Sequence, residues 1–385
     1  MTDRPATPDL EHENALWEMI KLAAPTVASM VSFTLMQFVD GLMVTRITPA
    51  DPVHLAAQGN GSVWSFAPTS IVIGMLGVVN TYVAQNLGAG RPERGSAYAW
   101  TGLWLSLLAW LGALVPFALV LPAIFQSMGH EPRLVELETA YAQILLFGGV
   151  FTLAARGLSQ YFYGMHRPLI VFIATVAGNL VNLGGNWVLI YGNFGAPALG
   201  VQGAAYATLI GTAVEFLIPL CVFLGPGWNA RFATRAAWRP SLAHLRDILR
   251  IGWPPAMMFG NELICWAYFM TRLQGQFGPE QNSAGWIALR YMHLSFMPAV
   301  GMSFACTAIV GRCLGAGRPD LARARARIGV GVAMAYMGLC ALVFVVFRHE
   351  LVALFIPGDM PAERDDVILA VGARIMIIAA VFQLF

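Results

Sequence analysis

The side chains that could do chemistry in this sequence are carboxylates and amides set among apolar neighbours. Asp40 lies in Ser32-Phe-Thr-Leu-Met-Gln-Phe-Val-Asp-Gly41. At helical spacing Phe33, Met36, Gln37 and Asp40 share a face, part polar and part soft and apolar, which suits the wall of a cavity. Glu262 lies in Pro254-Pro-Ala-Met-Met-Phe-Gly-Asn-Glu-Leu-Ile-Cys-Trp266, with Met258, Phe259, Cys265 and Trp266 about one turn away. Withdrawal of water disfavours the charged form of such a carboxylate. It could therefore exchange a proton near neutral pH, or hold a cation when ionised. Asn179, Asn182 and Asn186 fall on one side of a helix, where their carbonyls could coordinate a cation or accept a proton from a ligand. Each group also has a structural reading. Asp40 could be wetted at a helix end or paired with Arg46, and Glu262 could bond across a bundle or pair with Arg290. The amides could tie helices together, and Glu215 reads equally as a partner in this chemistry or as an anchor.

Around these groups, Met36, Trp64, Phe259, Trp266 and Phe296 could form an adaptable apolar pocket for flat cations. His293 reads as a packed hydrogen-bonding residue. The five cysteines show no C-x-x-C spacing, so neither a disulfide framework nor a resident metal is indicated. The most a metal ion could do here is bind transiently, as Na⁺ at Glu262 or Asp40. Neither H-E-x-x-H nor G-x-S-x-G occurs, so no enzyme is indicated, and no nucleic-acid partner or organic cofactor is expected.

The elements that must hold these groups are membrane helices. Charged residues make up 11% of the 385 and hydrophobic ones 57%, too little polar surface to cover a soluble fold of this size. A crossing needs about 20 apolar residues. Charge-free stretches and breakers such as Tyr191-Gly-Asn-Phe-Gly-Ala-Pro197 mark spans near 18–46, 57–86, 97–126, 138–163, 169–191, 203–225, 246–275, 285–313, 328–356 and 367–385. The fold class is an all-α polytopic membrane protein with nine complete spans and part of a tenth. Basic residues sort strongly. Sixteen fall in the segments that share a side with the N-terminus, Arg156 among them, against five (Arg46, Arg133, Arg272, Arg348, Arg364) on the other. Positive charge stays inside, so the N-terminus is expected in the cytoplasm, in a bacterial-type inner membrane. Arg290 and Arg374, at the outer ends of their spans, could snorkel.

The chain also repeats itself. Leu87-Gly-Ala-Gly-Arg-Pro92 returns as Leu314-Gly-Ala-Gly-Arg-Pro319, and Gly74-Met75 lies 227 residues before Gly301-Met302. Pro25 in one half and Pro254-Pro255 in the other interrupt the first helix of each copy and are candidate hinges. Two parallel-related lobes follow: 1–225 (spans 1–6), a basic linker 226–245, and 246–385, incomplete. Repeated halves around a central cleft are a common way to alternate access across a membrane. The motif itself reads as a helix cap, with glycines ending the helix and proline preventing its continuation.

Phe38-Val-Asp40, His54-Leu-Ala-Ala57, Val83-Ala-Gln-Asn-Leu-Gly-Ala-Gly90, Asn182-x-x-x-Asn186-Trp-Val-Leu-Ile-Tyr-Gly192, Pro197-Ala-Leu-Gly-Val-Gln-Gly-Ala-Ala205 and Phe296-Met-Pro-Ala-Val-Gly301 together resemble the multidrug and toxic compound extrusion (MATE) family. The resemblance covers nearly the whole chain. It implies twelve helices in two six-helix lobes, acting as a monomer, that export cationic or amphiphilic small molecules in exchange for Na⁺ or H⁺. Asp40 and Asn182 match family residues of the first-lobe cation or proton site, and Glu262 matches one for cation and substrate binding in the second. Asn186 stands where some members carry an aspartate, which leaves the first-lobe site with one of two carboxylates. Val381-Phe-Gln-Leu-Phe385 resembles the run before a span 10 acidic residue, so the resemblance implies further spans and a C-terminally truncated chain. Two alternatives remain. One is a lipid-linked oligosaccharide flippase of the same superfamily, for which a strongly basic cleft is expected. The other is a non-transporting remnant.

Overall fold

The computed structural model describes residues 14–47, 52–268, 279–354 and 362–383, and among these every regular element is helical. In chain order they are α1 (Ala15–Thr45), α2 (Pro52–Leu76), α3 (Val78–Gly88), α4 (Pro92–Ala109), α5 (Val115–Ser127), α6 (Pro132–Phe147), α7 (Gly149–Gly164), α8 (Pro168–Leu189), α9 (Val201–Leu224), α10 (Pro226–Phe232), α11 (Leu242–Tyr268), α12 (Pro279–Gly315), α13 (Pro319–Val346), α14 (Arg348–Ala353) and α15 (Ala362–Phe382). Among the described residues seven helical stretches are long and apolar enough to cross a membrane, or eight with the bent pair α6–α7 as one span. The seventh and tenth expected spans fall on α11 and α15, outside that set. Arg246, Asp247, Arg250 and Glu262 interrupt α11, and α15 opens on Glu363-Arg-Asp-Asp366, so both exceed the polarity of a simple crossing.

Local sequence explains the breaks. Proline leads α4, α6, α8 and α13, where its missing N–H costs nothing. Between α4 and α5 a wide π turn, Trp110–Leu114, precedes Pro116, a usual accommodation to a lost helix donor. The α6–α7 pair bends by 47° at Gly148, where a Cβ would collide with the side chain of Leu209.

The two glycines of the repeated motif have different jobs. Gly90 (φ 68°) and Gly317 (φ 73°) adopt the left-handed conformation that ends α3 and α12. The N–H of Arg91 then reaches the carbonyl of Asn86, and that of Arg318 the carbonyl of Cys313, which is the expected cap. Gly88 and Gly315 instead lie where α3 and α12 cross. A Cβ on Gly88 would strike the Arg312 carbonyl, and one on Gly315 the Gln85 carbonyl. The two copies of the motif therefore meet glycine to backbone, on the arginine-rich side of the molecule.

Further contacts extend this seam between the first half (α1–α9) and the second (α11–α15). Thr26 Oγ1 donates to the Gly301 carbonyl (2.8 Å), and Asn80 Nδ2 to that of Phe304 (3.1 Å). His166 Nε2 lies 3.1 Å from the Ala308 carbonyl. Glu18 of α1 sits 3.5 Å from Arg312 and 2.9 Å from Arg325, all nearly buried. The linker is strapped to α4, because Trp100 and Trp104 donate their indole N–H to the carbonyls of Thr234 and Trp238. Tyr82 and Tyr98, stacked at 4.4 Å, reach Asp247 at the start of α11.

Candidate ion and substrate site

Packing of α8 between α1 and α9 builds the site. A face of α8 with Thr175, Gly178, Asn182 and Asn186 approaches α9 closely: a Cβ on Gly178 would meet the Gly211 carbonyl, and one on Gly211 would meet Asn182. This proximity brings polar groups of three helices together. Asn186 Nδ2 donates to Asp40 Oδ1 on α1 and also to Asn182 Oδ1 (2.8 Å). Asn182 Nδ2 donates to Thr208 Oγ1 on α9 (3.1 Å). Asn179, two turns from Asn186, reaches Ser32 Oγ on α1 (2.7 Å). Asn182 and Asn186 are buried while Asp40 is half-buried. The Asn186 side-chain oxygen is buried beside the carboxylate and has no hydrogen-bond partner among the described residues. An orphaned acceptor next to a carboxylate is costly unless something positive is bound there.

Other expected residues fall elsewhere. Gln37 lies one turn from Asp40 on α1 and is exposed. Glu262 stands on α11, exposed, in the other half of the chain, and the described contacts do not join it to the Asp40 group. Pro25, Pro254 and Pro255 lie inside α1 and α11, each beside the seam: Thr26 meets Gly301, and Gly74 packs against Pro255 and Ala256. Glu215 accepts from Thr175 Oγ1 (2.8 Å) on α8, an interhelical tie. Trp64 does not join a cleft wall. It stacks on Phe117 and meets Phe125 edge-on, because α2 turns that face toward α5. The Trp266 side chain lies outside the described residues. Arg156, expected in a loop, sits within α7 with its guanidinium 5.1 Å from the Phe33 ring centre, a cation–π contact that substitutes for water.

Sequence reasoning missed Tyr141 and Glu138 of α6. Tyr141 is buried close to Asp40, and Ser62 and Gln58 of α2 bond its hydroxyl. Glu138 is fully buried. Its Oε2 accepts from Asn60 of α2 (2.8 Å), and its Oε1 lies 2.7 Å from His130 Nδ1. Glu138 stands at the first position of the expected span 138–163, close to Glu131 and Glu136, so sequence alone does not separate this buried glutamate from its wetted neighbours.

Long apolar helices, with a carboxylate–amide cluster held between three of them, define a multi-pass membrane protein. The MatE family model matches residues 25–188 and 256–385. The chain is 32% identical over 373 residues to a probable multidrug resistance protein NorM of Pseudomonas putida, covering 95% of this chain and 78% of that one. Among solved structures it resembles a MOP superfamily transporter from Pyrococcus furiosus (TM-score 0.85, 23% identity, 97% and 80% covered). It also resembles an outward-facing multidrug resistance MATE family transporter (TM-score 0.84, 22% identity, 98% and 84% covered). The chain belongs to the MatE family, the multidrug and toxic compound extrusion transporters.

Proposed function

We propose that this protein is a multidrug efflux transporter that exports cationic amphiphiles in exchange for H⁺ or Na⁺. The observation that carries this reading is the Asp40–Asn186–Asn182–Thr208 chain, with the unpartnered Asn186 oxygen beside the carboxylate. A proton on Asp40 or a Na⁺ between the two oxygens satisfies both. Glu262, on the facing half, takes the second coupling or substrate role, and Gln37 and Asn179 extend the polar wall of α1 and α8. One charge moving down about 100 mV supplies about 2.3 kcal/mol, near a fiftyfold substrate gradient.

Alternating access proceeds between two lobes, 1–225 and 246–385, joined by the linker. The seam at Gly88, Gly315, Glu18 and His166 closes the arginine-rich, cytoplasmic end in this conformation. It parts when the lobes rock, with Pro25, Pro254 and Pro255 as hinges. The acting unit is the single chain in an inner membrane. The test is ion-driven efflux of ethidium, a flat cation, from loaded vesicles. Asp40→Asn and Glu262→Gln should each lower it at least tenfold, and an unchanged rate in both would overturn the mechanism.

A further inference from the structure

A fully buried carboxylate one helical turn from the Asp40 neighbourhood needs a reason, because an ionisable group within a span is costly unless paired or used. Glu138 meets Asn60 and His130. Asn60 is uncharged and would pin α2 to α6 equally well against a glutamine. His130 is the partner able to carry charge, and its side chain is 28% exposed, so it touches both the buried carboxylate and the solvent at the arginine-poor end. The ring is seated rather than loose, since it stacks on Phe125 (6.5 Å between ring centres).

We infer that His130 and Glu138 form a second proton site of the first half, fed from the outer solution through the imidazole and discharged together with Asp40. The inference rests on the reading of Asp40 as a coupling group and adds to it a second carboxylate. The proton balance is simple. A hydronium ion protonates Nε2 of neutral His130 and leaves as water. Nδ1–H then passes to Glu138 Oε1, leaving a neutral imidazole and a carboxylic acid. The site gains one proton and ends uncharged. Toward the interior, Tyr141 lies one turn along α6 and faces Ser62, Gln58 and Asp40, so the two carboxylates flank one tyrosine. Of the other surroundings, α2 contributes Asn60, Gln58 and Ser62, α5 contributes Phe125, and α9 contributes Val201, Ala204 and Ala205. Among the described residues the titratable groups of the site are thus His130, Glu138, Tyr141 and Asp40, with His54 of α2, buried one turn before Gln58, beside them.

The test is proton release from detergent-solubilised protein on adding tetraphenylphosphonium, followed with a pH dye in weak buffer. The expected result is about one proton fewer per chain from Glu138→Gln than from the native protein, and restoration by Glu138→Asp. His130→Gln leaves the number unchanged and slows release at least tenfold. Circular dichroism and tetraphenylphosphonium affinity establish that each variant is folded. Unchanged release from a folded Glu138→Gln, or an unchanged rate from His130→Gln, overturns the proposal. Asp40→Asn separates the two levels. If it too releases as many protons as the native protein, the coupling role of Asp40 fails. If it alone releases fewer, only the second site fails.

Discussion

Glu18 of α1 lies 2.9 Å from Arg325 of α13 and 3.5 Å from Arg312 of α12, joining the beginning of the chain to its second half through a buried ion cluster. Removing one partner of a buried pair typically costs about 3–5 kcal/mol, because the other charge stays buried without compensation. On the proposed alternating-access cycle the cluster breaks when this end opens, so that cost falls on the closed form. Glu18→Gln should therefore open the seam. In a cysteine-free background, Ala23→Cys, on α1 and buried against Ala305 and Ile309 of α12, should label with an impermeant maleimide at least ten times faster when Glu18→Gln is added. Combining Glu18→Arg with Arg325→Glu should recover most of the protection. Unchanged labelling would mean that the cluster does not hold the seam.

The division of labour between the motif's glycines predicts two different phenotypes. Gly315→Val places a side chain against the Gln85 carbonyl, and backbone cannot retreat as a flexible side chain can. The halves then cannot close, and ethidium efflux should fall at least tenfold in a protein that still folds. Gly317→Ala meets open space but is held at φ 73°, a strain of about 1–2 kcal/mol. It should lower the melting temperature by a few degrees and leave efflux within twofold. Equal effects would refute the distinction.

His166 gives the seam a pH dependence. It sits in the turn between α7 and α8 at φ 57°, buried against the Ala308 carbonyl. Burial, aided by the Arg312 charge, pushes its pKa down to about 4. The closed, folded form therefore binds fewer protons than the unfolded chain, whose histidine titrates near its usual value of about 6.5. The stability is whole above that value and is lost progressively as pH falls toward 4, by an amount on the order of 3 kcal/mol. Thermal melts from pH 7.5 to 4.5 should show this loss in the native protein. His166→Asn tolerates the left-handed turn and cannot titrate, so it should flatten the profile. A parallel decline in both proteins would assign the acid lability elsewhere.

Much of this architecture is legible in the sequence because membrane insertion depends on composition. Charge-free stretches placed most of the apolar helices, and the two copies of the Leu-Gly-Ala-Gly motif fall where α3 and α12 cross. Asp40, Asn182 and Asn186 stood out by polarity alone, and packing of α8 between α1 and α9 unites them. What stayed hidden depends on direction and on distant partners. Glu138, at the first position of the expected span 138–163, went unremarked because its partner Asn60 is 78 residues away. Arg156 lies within the expected span 138–163 yet counted among the loop charges, because nothing local shows that Phe33 of α1 faces its guanidinium. Trp64 read as a cleft residue because hydropathy does not say which way an aromatic faces. A cap motif accounts for Gly90 and Gly317, while the close approach at Gly88 and Gly315 requires the other half of the molecule.

Asn186→Asp tests the local electrostatics of the site. The Asn186 side chain donates to both Asp40 and Asn182, so an aspartate there removes both donors and sets a second carboxylate beside the first. Two carboxylates in contact share a proton. The variant should shift the pH optimum of efflux upward by at least half a unit, as measured in everted vesicles. An optimum unmoved, or moved downward, would place Asp40 outside the coupling step.

The most direct test of ion-coupled exchange is reciprocity, since a ligand gradient that an ion drives must in turn drive the ion. Proteoliposomes carrying an outward tetraphenylphosphonium gradient, with no initial gradient of H⁺ or Na⁺ and the membrane potential clamped, should take up H⁺ or Na⁺ as the cation leaves. Asp40→Asn should cut that counterflow at least tenfold while tetraphenylphosphonium still binds. Tetraphenylphosphonium efflux without ion counterflow, or undiminished counterflow in Asp40→Asn, would contradict the account.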